Sequence, residues 1–159
     1  VLDLILARPV RRTTYLQAPL LLVITGAVTL PLAILVGAVL GLVTVDAGAP
    51  WTPYLAAAGS LTLLLLAMGG IGLLAAVGAE RRGPAVGRAV TLVLVFYWLD
   101  FVGPLWEVLE TARWLSPFAY FDPSGAVRHG VSAVDAAVLL GVFVTTTAAA
   151  FLELRRQDL

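Results

Sequence analysis

Cysteine and lysine are absent from this sequence, and histidine occurs only once. Without cysteine, the chain has no disulfides, thiolate metal sites or cysteine nucleophiles. Without lysine, it also lacks the GxxxxGK(S/T) loop that cradles nucleotide phosphates. The single histidine, His129, has no cysteine or carboxylate at ligand spacing, so we expect it at the surface, and haem ligation by two histidines is excluded. The composition therefore predicts neither a cofactor nor a metal.

Catalytic motifs are absent as well. The serines have no GxSxG context, and the acidic residues form no paired arrangement within an apolar stretch that would suit hydrolysis or a proton relay. The formal net charge is zero, so no basic field points to nucleic acid. We expect a protein that is not an enzyme and that binds no nucleic acid.

Charged residues are scarce, at 13%, whereas 60% of the residues are hydrophobic. This balance is far more apolar than that of a water-soluble protein. One run without any charge covers residues 54–79, and three further apolar runs cover 16–45, 88–105 and 131–152. Each run is near or above the ~20 residues that cross ~30 Å of hydrocarbon. We predict an all-α, polytopic integral membrane protein in which residues 1–159 form a single transmembrane domain with four membrane-spanning helices.

The arginines are distributed unevenly between the connecting segments. Eight of the ten lie before the first predicted span, between the second and third, or after the fourth: Arg8, Arg11, Arg12, Arg81, Arg82, Arg88, Arg155 and Arg156. The other connecting segments are mostly acidic. The positive-inside rule then places both termini and the 80–88 loop in the cytoplasm, so we expect a multi-pass protein of the plasma membrane.

Two segments outside the spans have the pattern of helices that lie at a membrane surface. Residues 1–16 are first apolar and then basic, which suits an interfacial cytoplasmic helix, although a truncated earlier span gives the same pattern. In residues 105–115, apolar positions recur at helical spacing while Glu107, Glu110 and Arg113 occupy another face. This pattern predicts an amphipathic helix that lies along the outer leaflet or dips into it.

Aromatic residues mark the predicted outer boundary of the membrane. The third span ends in FYWLDF, which contains Asp100. A carboxylate at membrane depth is a candidate functional group, but near the headgroups it can also simply reach water. After the amphipathic helix, Ser116 and Pro117 predict a helix break, and Phe118 and Tyr120 a second aromatic anchor. Asp100 is the intramembrane charge most worth testing.

Small and hydroxyl-bearing residues within the spans predict packing rather than chemistry. Gly37 and Gly41 form a GxxxG spacing, and Gly72 begins a similar pattern, which favours close helix packing. The three threonines at positions 145–147 are able to line a polar path. Hydroxyl groups in membranes usually bond back to their own helix, however, and we expect that arrangement here.

Three segments, in this order, resemble the permease subunit of ABC-2-type exporters, the ATP-binding-cassette exporters of the second type. LDLILARPVRRTTYL resembles the cytoplasmic segment before the family's third span, WLSPFAYFDP its outer segment before the last span, and AFLELRRQDL its terminal helix and Arg-Arg-x-Asp-Leu tail. The resemblance covers essentially the whole chain. It implies the last four helices of a six-helix permease, and hence a preceding part with two further spans. The first residue is not methionine, which also leads us to expect a piece of a longer chain.

The resemblance also implies partners. A second permease copy, identical or different, would complete the translocation path, and a separate ATP-binding-cassette ATPase subunit would hydrolyse ATP. Two cytoplasmic segments would touch that ATPase, which gives as coupling candidates Arg8, Pro9, Arg11, Arg12, Glu80, Arg81, Arg82 and Arg88. From the residues alone, the arginines fit equally well as orientation signals held at phospholipid headgroups.

By the same resemblance, residues 105–121 are similar to the short re-entrant helices that close the outer end of the family's translocation path. The candidate residues at this gate are Asp100, Glu107, Glu110, Ser116, Pro117, Phe118 and Tyr120. The implied function is ATP-driven export across the plasma membrane. The alternative that the residues leave open is a non-transporting membrane anchor or assembly protein whose helices merely pack together.

Overall fold

The computed structural model describes residues 12–46, 48, 50–77 and 82–156. These residues form helices and connecting turns, with no strand among them. Six α-helices follow in order: α1 (Arg12–Thr44), α2 (Thr52–Val77), α3 (Arg82–Val102), α4 (Glu107–Arg113), α5 (Pro123–His129) and α6 (Ala133–Arg156). Two short 3-10 helices, Gly103–Leu105 and Pro117–Tyr120, flank α4. The predicted all-α fold is confirmed for this part of the chain.

Four helices are long and apolar enough to cross a membrane: Leu16–Thr44, Thr52–Val77, Gly83–Leu105 and Ala133–Arg156. This confirms the predicted number of helices able to span a bilayer. Their ends differ from the apolar runs. α3 begins at Arg82, six residues before position 88, because a proline in the first turn, here Pro84, displaces no helical hydrogen bond. α6 continues to Arg156, where basic side chains in the last turn suit the helix dipole.

The first long helix, α1, begins at Arg12, which is also the first described residue. The interfacial helix predicted over residues 1–16 therefore lies mainly outside the described part of the chain. From Arg12, α1 is one helix that includes Pro19 and Pro31. Pro31 is fully buried and lines a cavity of about 200 Å³ together with Tyr54 of α2. The two helices contact each other along this face, with the cavity between them.

The centre of the bundle is α2. It packs against α1, α3, α5 and α6, whereas α1 and α6 share only a smaller contact. A third of the most apolar stretch of α2 is buried, at 33%, while none of the corresponding stretch of α3 is buried. The buried core lies between α2 and α6, where Leu64 and Ala67 meet Leu139. α3 is therefore the long helix whose apolar stretch is least buried among the described residues.

Two neighbouring glycines set the spacing between α2 and its partners. A Cβ atom at Gly69 would collide with Val23 of α1. A Cβ atom at Gly70 would collide with Thr146 of α6 and would lie 3.2 Å from the carbonyl oxygen of Phe143. Because that oxygen belongs to the backbone of α6, the whole helix would have to shift. Only glycine allows α6 to approach α2 this closely.

The glycines with the GxxxG-like spacing have a different environment. Nothing lies within 4 Å of the position that a Cβ would occupy at Gly37, Gly41 or Gly72. The packing role predicted for these three glycines is therefore wrong for contacts within the described chain. The reason is that α6 meets the face of α2 that carries Gly70, whereas no described atom is close enough to contact a Cβ at the three other glycines.

The arginine-bearing helix ends lie together. Val23 of α1 meets Gly69 of α2, and Pro31 lines a cavity with Tyr54, so α1 and α2 run antiparallel. Near the C-terminus of α6, Glu153 lines a cavity with residues from the last turns of α2 and the first turns of α3. We call this end of the bundle the arginine end, because the helix ends that meet there carry Arg12, Arg82, Arg88, Arg155 and Arg156.

Candidate functional site

After α3, the chain turns back along the helix that it has just left. The Ser116 hydroxyl donates a hydrogen bond to the carbonyl oxygen of Phe96, at 2.8 Å, and accepts one from the N–H of Phe118, at 3.2 Å. Phe96 lies six residues before Val102, the last residue of α3. The contact is therefore about 9 Å back along the helix axis. We call residues 103–121, which make this hairpin, the return segment.

The turn of the return segment is buried. Ser116 is 0% exposed, and Pro117, which starts the second 3-10 helix, is also buried. A buried hydroxyl is costly unless it is hydrogen-bonded. The hydroxyl of Ser116 satisfies this requirement, because it donates one hydrogen bond and accepts another. One small polar side chain thus connects an irregular turn to the backbone of α3.

An ion pair joins α4 to α3. Nε of Arg113 lies 2.8 Å from Oδ1 of Asp100. The stem of Arg113 covers Gly103, since a Cβ at that glycine would lie 3.0 Å from the Arg113 Cβ. Asp100 was expected either to act at membrane depth or to reach water, and its observed partner is Arg113. The signal available in the sequence was that Arg113 is the one basic residue of the amphipathic segment.

Phe118 lies between α3 and the core of the bundle. Its ring packs edge-to-face on Tyr97 of α3, with ring centroids 5.9 Å apart. The same side chain packs against the core formed by Leu64, Ala67 and Leu139. The 3-10 helix that carries it contacts α2, α3 and α6. The return segment therefore fills the space between α3 and the α2–α6 pair at the end opposite the arginines.

The remaining gate candidates lie within the return segment itself. The Tyr120 hydroxyl donates to the carbonyl oxygen of Trp114, at 2.9 Å, which closes the turn between α4 and the second 3-10 helix. α4 begins at Glu107, and Glu110 is exposed on it. This helix is shorter than the predicted 105–115, because the preceding residue, Trp106, has an extended backbone with φ −135° and ψ 117°.

At the arginine end, the space between α3 and α6 is open. A cleft of about 710 Å³ is lined by Leu74 and Ala75 of α2, by several residues of α3 and by Glu153 of α6. Arg88 of α3 also lines it, so a positive and a negative side chain occupy the same cleft. Aromatic side chains thus pack between α3 and the α2–α6 pair at one end of the bundle, and a charged, partly apolar cleft lies between α3 and α6 at the other.

The coupling candidates are only partly within the described structure. Arg12 begins α1 and Arg82 begins α3, so the two predicted coupling segments lead directly into helices at the arginine end. Arg88 lies one and a half turns further along α3, in the cleft. The other candidates lie outside the described residues: Arg8, Pro9, Arg11, Glu80 and Arg81.

The threonines of α6 behave in two ways. Thr145 donates to the carbonyl oxygen of Gly141 at 2.7 Å, and Thr146 to that of Val142 at 2.6 Å. These bonds within the helix confirm the expected arrangement for both residues. Thr147 differs, because its hydroxyl is buried and has no hydrogen-bond partner among the described residues.

No protein-family model, curated protein or solved structure matches this chain. Its function is therefore inferred from the return segment, the cleft and the sequence motifs.

Proposed function

We propose that this chain is the C-terminal, four-helix part of the permease subunit of an ABC-2-type exporter. Its helices line half of a translocation path in the plasma membrane, and a second permease copy supplies the other half. The chain hydrolyses nothing, since a separate ATP-binding-cassette ATPase supplies the energy. The observation that carries this proposal is the return segment, in which Ser116 and Phe118 pack between α3 and the α2–α6 core.

Irregular backbone next to a membrane-spanning helix supports a transport role over a simple anchor. Polar backbone groups in hydrocarbon must be satisfied internally, so non-helical segments at membrane depth occur only where they are buried in protein or line a cavity. The return segment reaches about 9 Å back along α3. Within its turn, the Ser116 side chain provides the hydrogen-bond partner for the backbone N–H of Phe118 and donates to the backbone carbonyl of Phe96. An anchor needs only plain helices and gains nothing from this arrangement.

The two ends of the bundle fit an inward-open state of an alternating-access cycle. Such a cycle requires a path that is closed at one end while the other is open. Phe118 and the rest of the return segment form the closed outer gate, with α4 as a re-entrant helix at the outer leaflet. The cleft between α3 and α6 forms part of the open inner side.

The arginine end is then the cytoplasmic end, with both termini inside the cell. The segments around Arg8–Arg12 and Glu80–Arg88 contact the ATPase. Because these segments lead directly into α1 and α3, closure of the ATPase on ATP moves the long helices. The return segment follows, since it is bonded to α3 at Phe96 and Asp100.

Isolation of the full-length protein from its own membranes tests the proposal. A tagged version is solubilised in mild detergent, and proteins that remain bound are identified by mass spectrometry. We expect an ATPase with a Walker A motif to co-purify and to hydrolyse ATP faster with the permease than without it. A folded, monodisperse protein that binds no ATPase would overturn the proposal and favour the alternative, a non-transporting anchor or assembly protein.

A further inference from the structure

A polar pocket of about 210 Å³ lies where α5 and the start of α6 meet α2, at the end opposite the arginines. Asp122 and His129, at the two ends of α5, line it together with Asp135 in the first turn of α6. Ser60 of α2 lines it from the interior of the bundle. Neither the ion pair of the return segment nor the cleft at the arginine end includes these residues.

The Ser60 hydroxyl has no partner within the described structure. The residue is only 4% exposed, yet none of the hydrogen bonds among the described residues involves its side chain. Thr62, two residues further along the same helix, bonds back to the carbonyl oxygen of Ala58 at 2.9 Å. Hydroxyl groups of largely buried residues usually have a hydrogen-bond partner, and the Ser60 hydroxyl is reached only from the pocket that it lines. A bound molecule in the pocket would supply the partner that Ser60 lacks.

The two carboxylates also have unused hydrogen-bonding capacity. Oδ1 of Asp122 accepts from the N–H of Gly125 at 2.8 Å, which leaves its second oxygen available. Asp135 is half-buried, and its carboxylate forms no hydrogen bond or ion pair among the described residues. No arginine is among the described residues that line the pocket. The pocket thus combines two negative charges with several free acceptors.

We infer that this pocket binds the ammonium group of a primary amine. An ammonium group has three N–H donors and no acceptor, which complements the free oxygens of Ser60, Asp122 and Asp135 in both charge and hydrogen bonding. The volume is below the ~300 Å³ of common small-molecule sites, so only a headgroup-sized amine fits. A metal ion fits less well, because no group of three or more suitable ligands lies together among the described residues.

This site is inferred from the residues that line the pocket and does not depend on the proposed transport function. The same ammonium chemistry is available from a free amine such as ethanolamine and from the headgroup of phosphatidylethanolamine. The two sources differ in whether an acyl chain remains attached, so they are separable by experiment.

Binding of radiolabelled ethanolamine tests the inference. The full-length protein is reconstituted in phosphatidylcholine nanodiscs, and binding is followed by scintillation proximity. We expect saturable binding that Asp135→Asn weakens about ten-fold or more, because the amide oxygen still accepts a hydrogen bond but the negative charge that strengthens it is lost. Ser60→Ala should weaken it about three-fold or more. Choline, which has no N–H donor on its nitrogen, should compete poorly.

Asp46→Asn is the matched control. Asp46 is an exposed acid in a different turn, and its φ of 49° is a conformation that asparagine also adopts readily. The Asp46→Asn variant should bind ethanolamine as tightly as the wild type does. Ser60→Ala keeps the test decisive if the Asp135 variant does not fold, because it removes only a hydroxyl.

Native mass spectrometry identifies the source of the amine. The protein is released from nanodiscs that contain both phosphatidylethanolamine and phosphatidylcholine. Retention of phosphatidylethanolamine by the wild type but not by Asp135→Asn identifies a lipid headgroup, and ethanolamine binding without such retention identifies a free amine. The inference is overturned if ethanolamine binding does not saturate and neither lipid is preferred, or if both variants bind like the wild type.

Discussion

Nε of Arg113 in α4 and Oδ1 of Asp100 in α3 are 2.8 Å apart, although the two residues are 13 positions apart in the sequence. The side chains are 45% and 28% exposed. An ion pair this accessible to solvent contributes only about 0–1 kcal/mol. The pair therefore orients α4 against α3, while the buried contacts of Ser116 and Phe118 hold the return segment in place.

We expect Asp100→Asn to loosen the return segment without unfolding the protein. Loss of up to about 1 kcal/mol would raise the population of the open segment up to about five-fold. The measurement is the rate at which maleimide modifies a cysteine introduced at Ala119, since this chain has no competing cysteine. The reversed pair, Asp100→Arg with Arg113→Asp, should return the rate towards its original value. Equal rates with and without the ion pair would contradict the prediction.

Ser116→Ala should destabilise the protein by about 1–3 kcal/mol, because it removes a fully buried hydroxyl and leaves the N–H of Phe118 and the carbonyl oxygen of Phe96 without their partner. Thermal unfolding in detergent, followed by circular dichroism, measures the change. Ser124→Ala is the control, since Ser124 is exposed on α5, and it should stay within about 0.5 kcal/mol of the wild type. If the two alanine variants unfold at the same temperature, the Ser116 contacts contribute no stability.

Gly70→Ala and Gly72→Ala should have opposite effects. The added methyl group at Gly70 meets Thr146 and the backbone of α6, so we expect a loss of about 1–3 kcal/mol. At Gly72 it meets nothing within 4 Å, and removing a helical glycine should stabilise the protein by about 0.5–1 kcal/mol. Unfolding temperatures of the two variants check the prediction, which fails if Gly70→Ala is tolerated as well as Gly72→Ala.

Replacing Arg81 and Arg82 with alanine should weaken binding of the proposed ATPase while membrane insertion stays intact. The reason is that this segment leads directly into α3 at the arginine end. Co-purification and stimulated ATP hydrolysis are the measurements, and Arg128→Ala, an exposed arginine at the opposite end, is the control. Normal docking of the double variant would reject the coupling role. Inverted insertion would identify the arginines as orientation signals instead.

The membrane-spanning helices were predictable because length and apolar composition alone decide whether a helix can cross a bilayer. The ends of these helices were less predictable. The sequence Arg81–Arg88 has the composition of a loop, yet Pro84 fits within the first turn of α3. The pattern of residues 105–115 predicted an amphipathic helix, but the periodicity of a helix contains no information about which neighbour it folds against.

Contacts between helices were not predictable from spacing. Gly37, Gly41 and Gly72 have the spacing of a packing motif, whereas the helices meet at Gly69 and Gly70. Which face of α2 is used depends on where α1 and α6 are held by the rest of the fold. For the same reason, nothing in the sequence brought Ser60 and Asp135 together, since they belong to helices that are far apart in the chain.

Two of the long helices are seated against the adjacent glycines of α2, and the third is not. α1 and α6 are seated against Gly69 and Gly70, while none of the most apolar stretch of α3 is buried. α3 and the return segment are joined through Asp100 and Ser116. If α3 shifts, these two contacts draw the return segment with it, against the core on which Phe118 packs. Because α3 is about 30 Å long, such a shift would connect the two ends of the bundle.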